Sequence, residues 1–296
     1  MLPMRFVAQG ALLLSILTFV DGCGGRPALE LDAAGTHADT AIGDGRSADG
    51  GASGRPMFTP GTSWQWQLSG TIDLSVDAQV FDIDPFSSDT QSDIVAQLHA
   101  RGRRVICYFD TAYEPGRVDS AALEPYKGNP LQGWPGQYWV DFRQPAVRAV
   151  MKARIERAHA LSCDAVEPDD VDVLDPGNEP GFPITAADQL EFLHFLADTA
   201  HQNGMAVGLK NNVAQIPQLV ATFDFAVNEQ CAQYDECETY APFIAANKAV
   251  FNTEYTATET GSLATKANQV CAAQNARNFD TIIKHLALGA ERFSCR

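Results

Sequence analysis

Basic residues are scarce in this chain of 296 residues: Lys and Arg number 21 against 37 Asp and Glu, a net charge of −16. That deficit excludes a protein-wide phosphate-binding surface, and nucleic acid is not an expected partner. It permits a cationic ligand without requiring one, because acidity also keeps soluble proteins apart. Histidine is scarcer still, at six, and only His285 falls near an expected strand end. His37 lies in the N-terminal segment, while His99, His159, His194 and His201 fall on or beside helical stretches. A His-rich zinc site is therefore not expected. No Gly-x-Ser-x-Gly is present to support a Ser-His-Asp hydrolase, and no Gly-x-Gly-x-x-Gly follows a strand to hold a dinucleotide. Asp169-Asp170-Val171-Asp172 lacks the Gly and distal Glu of a calcium loop. Neither metal nor cofactor is expected.

The N-terminal apolar stretch is also short. Ala11–Val20 has ten residues, whereas crossing a bilayer takes about 20. With Arg5 before it, the stretch matches the core of a secretory signal. It ends in Val20-Asp21-Gly22-Cys23, which resembles a bacterial lipobox, although Asp21 departs from the usual small or apolar residue. Residues 1–23 are read as a lipoprotein-type leader, with Cys23 lipidated and the protein exported and held at a bacterial envelope by that lipid alone. The alternative is an ordinary signal cut nearby. Gly24 to Met57 contains no aromatic residue and is rich in Gly, Ala, Asp and Ser, too little apolar surface to offset the entropy of ordering. Residues 24–58 are read as a tether. The remainder, 59–296, is close to the ~250 residues of one (β/α)8 barrel.

Short apolar runs suited to buried parallel strands recur through that remainder. They are Ser63–Leu68, Gln79–Ile83, Arg104–Phe109, Asp164–Glu167, Ala206–Lys210, Phe225–Asn228, Val250–Thr253 and Asp280–Lys284. Helical patterns separate several of them. Pro145 suits a helix start, and Val147, Val150, Met151, Ile155 and Ala158 make a stripe behind it. Thr185 and Asp188 have the spacing of a capping box. The expected fold class is α/β, a single-domain TIM barrel, with an open doubly wound sheet as the alternative.

A TIM barrel keeps its chemistry at the C-terminal ends of its strands. The residues ending these runs are Asp82 and Asp84, Asp110, Glu167 with Asp169 and Asp170, Lys210 with Asn211, Glu229, and Glu254. Any one of these acids has a plainer reading as a helix N-cap. Together on one rim they suit glycosidic cleavage, in which one carboxyl protonates the leaving oxygen and another attacks carbon or activates water. Trp64 and Trp66, with Tyr113, Trp134, Tyr138 and Trp139 further on, are candidate sugar platforms or core anchors. Trp64 and Trp66 are read as facing opposite sides of the first strand, only one of them bordering the cleft.

Trp64-Gln65-Trp66-Gln67-Leu68, Val105-Ile106-Cys107-Tyr108, Asp164-Ala165-Val166-Glu167-Pro168-Asp169, Gly208-Leu209-Lys210-Asn211, Phe225-Ala226-Val227-Asn228-Glu229 and Glu254-Tyr255 follow one another in order. The chain from Trp64 to Arg296 thereby resembles glycoside hydrolase family 114, the endo-α-1,4-polygalactosaminidase-like barrels. The resemblance implies endo-hydrolysis of an α-1,4-linked, partly deacetylated galactosamine polymer, an amino-sugar polysaccharide whose positive charge suits the acidic chain. It implies Asp169 as nucleophile and Glu229 as acid/base. Asp82, Asp84, Asp110, Tyr108, Glu167, Asp170, Lys210, Asn211, Glu254 and Trp66 are the expected substrate-binding set. Glu167 and Glu254 also have a plainer role, holding Lys210 in a charged pair. Asp170 stands where the family often has Asn, and a second adjacent carboxylate is expected to weaken Asp169 as a nucleophile.

Setting Cys23 aside leaves six cysteines, and the expected disulfides are Cys107–Cys163, Cys231–Cys237 and Cys271–Cys295, with a reduced, buried Cys107 as the alternative. Two other functions remain open on sequence: a polysaccharide-binding lipoprotein that has lost turnover, and a barrel glycosidase for another α-linked glycan. Retention of both Asp169 and Glu229 favours the enzyme. A monomer is expected.

Overall fold

A computed structural model describes residues 54–87 and 90–296. The expected leader, Cys23 and most of the expected tether lie outside the described residues.

Eight strands lie side by side in chain order: Trp64–Gln67, Val80–Ile83, Arg104–Asp110, Ala165–Asp169, Ala206–Lys210, Phe225–Glu229, Val250–Tyr255 and Asp280–Lys284. They are called strands one to eight below, and every ladder among them is parallel. The fold is the single-domain TIM barrel expected. Strands four, six and seven run one or two residues beyond their apolar cores, so their last positions carry Asp169, Glu229 and Tyr255.

Two apolar layers hold the barrel. Inside it, Trp64, Trp66, Phe225, Phe251 and Ile282 are packed without solvent, and Phe58 caps the same cluster. Small residues on neighbouring strands make room for these rings. A Cβ added at Gly208 would lie 2.4 Å from the Phe225 ring. Trp64 and Trp66 therefore share one face, with ring centroids 6.1 Å apart and planes 24° apart. The expectation of opposite faces is corrected here: side chains alternate along a strand, so positions two apart point the same way.

Outside the barrel, the helix Pro145–Ala160 starts on its proline and buries Val147, Met151, Ile155 and Ala158. The helix Ala186–Gln202 starts at a complete capping box. Asp188 N donates to Thr185 Oγ1 at 3.1 Å, and Thr185 N donates back to the Asp188 carboxylate at 2.8 Å. Such a cap is worth about 1 kcal/mol.

The seam between strands eight and one is closed by side chains and by the chain's end. Trp64 Nε1 donates to Asp280 O at 2.7 Å, Lys284 Nζ reaches Gln65 Oε1 at 3.3 Å, and Arg292 donates to Trp64 O at 2.8 Å. A short strand, Phe293–Ser294, runs antiparallel to strand eight, and Cys271–Cys295 ties it to the helix Leu263–Ala276. The other two expected disulfides, Cys107–Cys163 and Cys231–Cys237, are also formed. A second small ribbon, Lys127–Pro130 against Tyr138–Val140, rises from the long connection after strand three.

Candidate active site

The rim at the C-terminal ends of the strands opens into a cleft of about 300 Å³. Asp170, Asn211 and Gln230, the residues that directly follow strands four, five and six, all have left-handed backbone, with φ of 56°, 45° and 63°. Left-handed backbone is costly for residues other than glycine and gathers at functional sites. Here it turns the chain sharply off three adjacent strands and leaves their last side chains aimed across the mouth. Those side chains are Asp169, Lys210 and Glu229.

Lys210 is wholly buried beneath the other two. Its Nζ lies 2.9 Å from Asp169 Oδ1, 3.2 Å from Glu229 Oε2 and 3.2 Å from Glu167 Oε1, and 4.7 Å from the centroid of the Trp66 ring. Burial works against the ammonium, but Asp169, Glu229 and Glu167 outweigh it and hold Lys210 charged, well above the ordinary lysine range. Asp169 is further fixed by its neighbours: Tyr108 donates to Oδ2 at 2.9 Å and Asp170 N donates to Oδ1 at 2.8 Å. Glu229 accepts from Tyr255 at 2.5 Å through Oε1, and its own N–H donates to Asn211 Oδ1 at 3.1 Å. Burial first, then the facing carboxylates, push both tyrosine hydroxyls well above their ordinary range, so they act as donors.

Asp170 borders the cleft and touches Asp110. Burial raises the Asp110 carboxyl to about 6, and burial plus repulsion from Asp110 and Asp169 pushes Asp170 up well beyond a normal carboxyl. The contact between the two carboxyls raises Asp170 and lowers Asp110.

The expected binding set divides into three groups. Trp66, Tyr108, Asp170 and Asn211 line the cleft with Asp169 and Glu229. Lys210, Glu167 and Asp82 form its fully buried floor and have no surface to offer a sugar. Asp84, Asp110 and Glu254 lie away from it. Asp84 accepts from Phe86 N and Ser87 N and pairs with Arg117 at 2.6 Å, while Asp110 accepts from Ala112 N. Glu254 accepts from Ala232 N at 2.8 Å and faces Lys266 at 3.4 Å. A substrate-binding place for Glu254 is corrected: it points to the outer layer, and its neighbour Tyr255 takes the cleft position. Trp134 and Trp139 line the cleft as well. Tyr113 and Tyr138 instead meet edge to face, and both rings carry the Lys127 ammonium, at 4.5 and 4.4 Å. The sequence reading missed Tyr255, Asp172, Gln132, Gln230, Gln233 and Tyr234, all of which line the cleft. The two-residue alternation of strand seven was enough to point to Tyr255.

A parallel barrel whose rim presents two part-exposed carboxylates over a buried cation, in a cleft sized for sugar rings, is a glycoside hydrolase. The profile of glycoside-hydrolase family GH114 matches residues 47–296, and the chain belongs to that family. Among solved structures it is similar to Aspergillus fumigatus Ega3 in complex with galactosamine. Identity is 38%, 80% of this chain and 96% of that chain are covered, and the TM-score is 0.74. The glycoside hydrolase domain of PelA from Pseudomonas aeruginosa shares 13% identity over 78% of this chain and 98% of its own, with a TM-score of 0.59, a likeness of fold. No curated protein matches the chain. Among the described residues no cluster of His, Cys, Asp and Glu has the arrangement of a metal site.

Proposed function

We propose that the protein is a secreted endo-glycosidase that cleaves α-1,4-linked, partly deacetylated galactosamine polymer with retention of configuration. Asp169 is the nucleophile and Glu229 the acid/base. The observation that carries this reading is the shared ammonium. With Lys210 Nζ 2.9 Å from one carboxylate oxygen and 3.2 Å from the other, those oxygens lie at most about 6 Å apart. Retaining enzymes hold the two carboxyls about 5–5.5 Å apart, and inverting enzymes need roughly 6.5–9.5 Å for the water between them.

In the first step Asp169 attacks the anomeric carbon, and Glu229, carrying a proton, gives it to the leaving glycosidic oxygen. Negative charge thus disappears from Asp169 as it forms the ester and appears on Glu229. Lys210 touches both oxygens, so the ammonium keeps a carboxylate partner throughout and the low-dielectric floor never holds an unpaired charge. Tyr255 receives the new anion at Glu229 Oε1. In the second step Glu229 takes a proton from water, whose oxygen attacks the anomeric carbon and frees Asp169.

The cleft lining supports a cationic sugar. Among the described residues it includes the carboxyl groups of Asp169, Asp170, Asp172 and Glu229 and no Lys, Arg or His. Ega3, crystallised with galactosamine, points to the same class. Three disulfides suit an oxidising compartment outside the cytoplasm, and a lipid on Cys23 would keep the enzyme at the envelope. Incubating purified protein with deacetylated galactosamine polymer and weighing the products tests the proposal. Wild type should release short oligomers, while Asp169→Asn and Glu229→Gln should remain folded and lose turnover by orders of magnitude. Full activity in Asp169→Asn would overturn the assignment.

A further inference from the structure

The floor of the cleft holds more carboxylate than its one ammonium can balance. Asp82 on strand two and Glu167 on strand four flank strand three, in register with Ile106 and Tyr108. Both are fully buried. Apart from the other member of the pair, none of their four carboxyl oxygens has a hydrogen-bond partner among the described residues, although Lys210 Nζ stands 3.2 Å from Glu167 Oε1. The two carboxyls are hydrogen-bond neighbours, and adjacent, dry carboxylates cannot both ionise. One proton between them satisfies both, and it belongs on Asp82, the member without a cation beside it.

We infer that Asp82 and Glu167 share a single proton, held on Asp82 with the charge on Glu167, and that this pair positions the Lys210 ammonium midway between Asp169 and Glu229. The role in turnover rests on the glycosidase reading above; the shared proton does not. Both are positioning residues, since neither reaches the cleft. Burial, then repulsion from Glu167, drives the Asp82 carboxyl far up; burial also raises Glu167, against the pull of Lys210 and the hydrogen bond from Asp82. The groups facing the pair are Lys210 from strand five, Asp169 from strand four and Tyr108 from strand three, with Trp66 of strand one in register with Asp82; Glu229 meets the pair only through Lys210.

The charge placement has a catalytic consequence. With Glu167 ionised, the ammonium has a third partner below and is not drawn wholly onto the catalytic carboxylates. Moving that charge away lets Lys210 favour the anion of Glu229, so the enzyme loses its acid at lower pH. The Coulomb effect of one buried charge displaced by a few ångströms is about one pH unit.

Carbon-13 titration of carboxyl-labelled protein, with Asp82→Asn and Glu167→Gln identifying the signals, reads the pair without turnover. Wild type should show the Asp82 carboxyl still protonated after surface carboxyls have ionised, with Glu167 ionised; an Asp82 that ionises with the surface groups overturns the inference. The pH profiles of kcat/KM on the polymer then test positioning. Glu167→Gln should move the basic limb down by about one pH unit, and Asp82→Asn, which leaves the charge on Glu167, should move it less than half as far. Equal shifts, or none, in variants that melt cooperatively would mean the residues are structural only. If wild type has no turnover the glycosidase reading fails, and the titration still decides the pair; if one variant does not fold, the other identifies its own signal and the titration is read from that carboxyl.

Discussion

Replacing Lys210 by methionine removes the one cation of the floor while nearly keeping its length. Three carboxylates lie within 3.2 Å of Nζ. At an effective dielectric of about 20, each such contact is worth about 5 kcal/mol of attraction before the cost of burying the ammonium is subtracted. Breaking a buried pair from one side typically costs a net 3–5 kcal/mol. The variant's least costly response is to take up a proton among Glu167, Asp169 and Glu229. Asp169 is then neutral for much of the time at neutral pH, and charge moving to Glu229 has no counter-ion. Activity on the polymer at pH 7 should fall about 100- to 1000-fold, and the acidic limb of the kcat/KM profile should move to higher pH. Stability carries the matching sign. A cluster that holds an extra proton in the folded state is stabilised below the ordinary carboxylate range and loses that stability as pH rises toward neutral. Urea denaturation at pH 5 and 8, beside the pH–rate profile, is the assay. Wild-type activity at pH 7 with a pH-independent stability difference would refute the reasoning.

The seam residues give a second pH test. Burial raises Asp280 to about 7 against Arg296 and Gly61 N–H, and lowers Lys284 to about 7. Asp280 should withdraw at most about 4 kcal/mol as pH rises from about 4 to 7, and Lys284 should return stability as pH rises from about 7 to 10.5. Asp280→Asn should flatten the acid-side slope of a urea-midpoint series and Lys284→Met the alkaline one; unchanged slopes would count against the buried charges. For the disulfides, the closed loops span 56 residues for Cys107–Cys163 and 6 for Cys231–Cys237. Loop entropy then makes loss of the first cost about 4 kcal/mol and of the second about 2 kcal/mol, readable by urea denaturation of the paired Ala variants. Trp134, 43% exposed on the cleft wall, should act as a sugar platform. Trp134→Ala should raise KM for polymer several-fold with kcat and melting temperature little changed, and an unchanged KM would remove it from the site.

Much of the barrel was legible because buried parallel strands are continuous apolar runs between polar ends. Strand eight appears at its expected bounds, Asp280–Lys284. Strand ends were less legible where function intrudes, since Asp169, Glu229 and Tyr255 continue their strands although their side chains are polar or part-exposed. The errors of the reading were errors of parity. Taking Glu254 for the cleft instead of Tyr255, and separating Trp64 from Trp66, both mistake which face a strand position serves. Depth was invisible to sequence: Asp82 and Glu167 end apolar runs as Asp169 does, and only the packing shows that they lie beneath Lys210. The ribbon Lys127–Pro130 with Tyr138–Val140 carries Gly128, Pro130 and a short apolar run, too weak a pattern to be read as strands.

The central claim is that Asp169 and Glu229, bridged by one ammonium, cleave with retention. Proton NMR of the first product released from α-1,4-linked galactosamine polymer, recorded before mutarotation, tests it directly. The account predicts the α-anomer, from a glycosyl ester on Asp169 opened by water; the β-anomer as first product would contradict it.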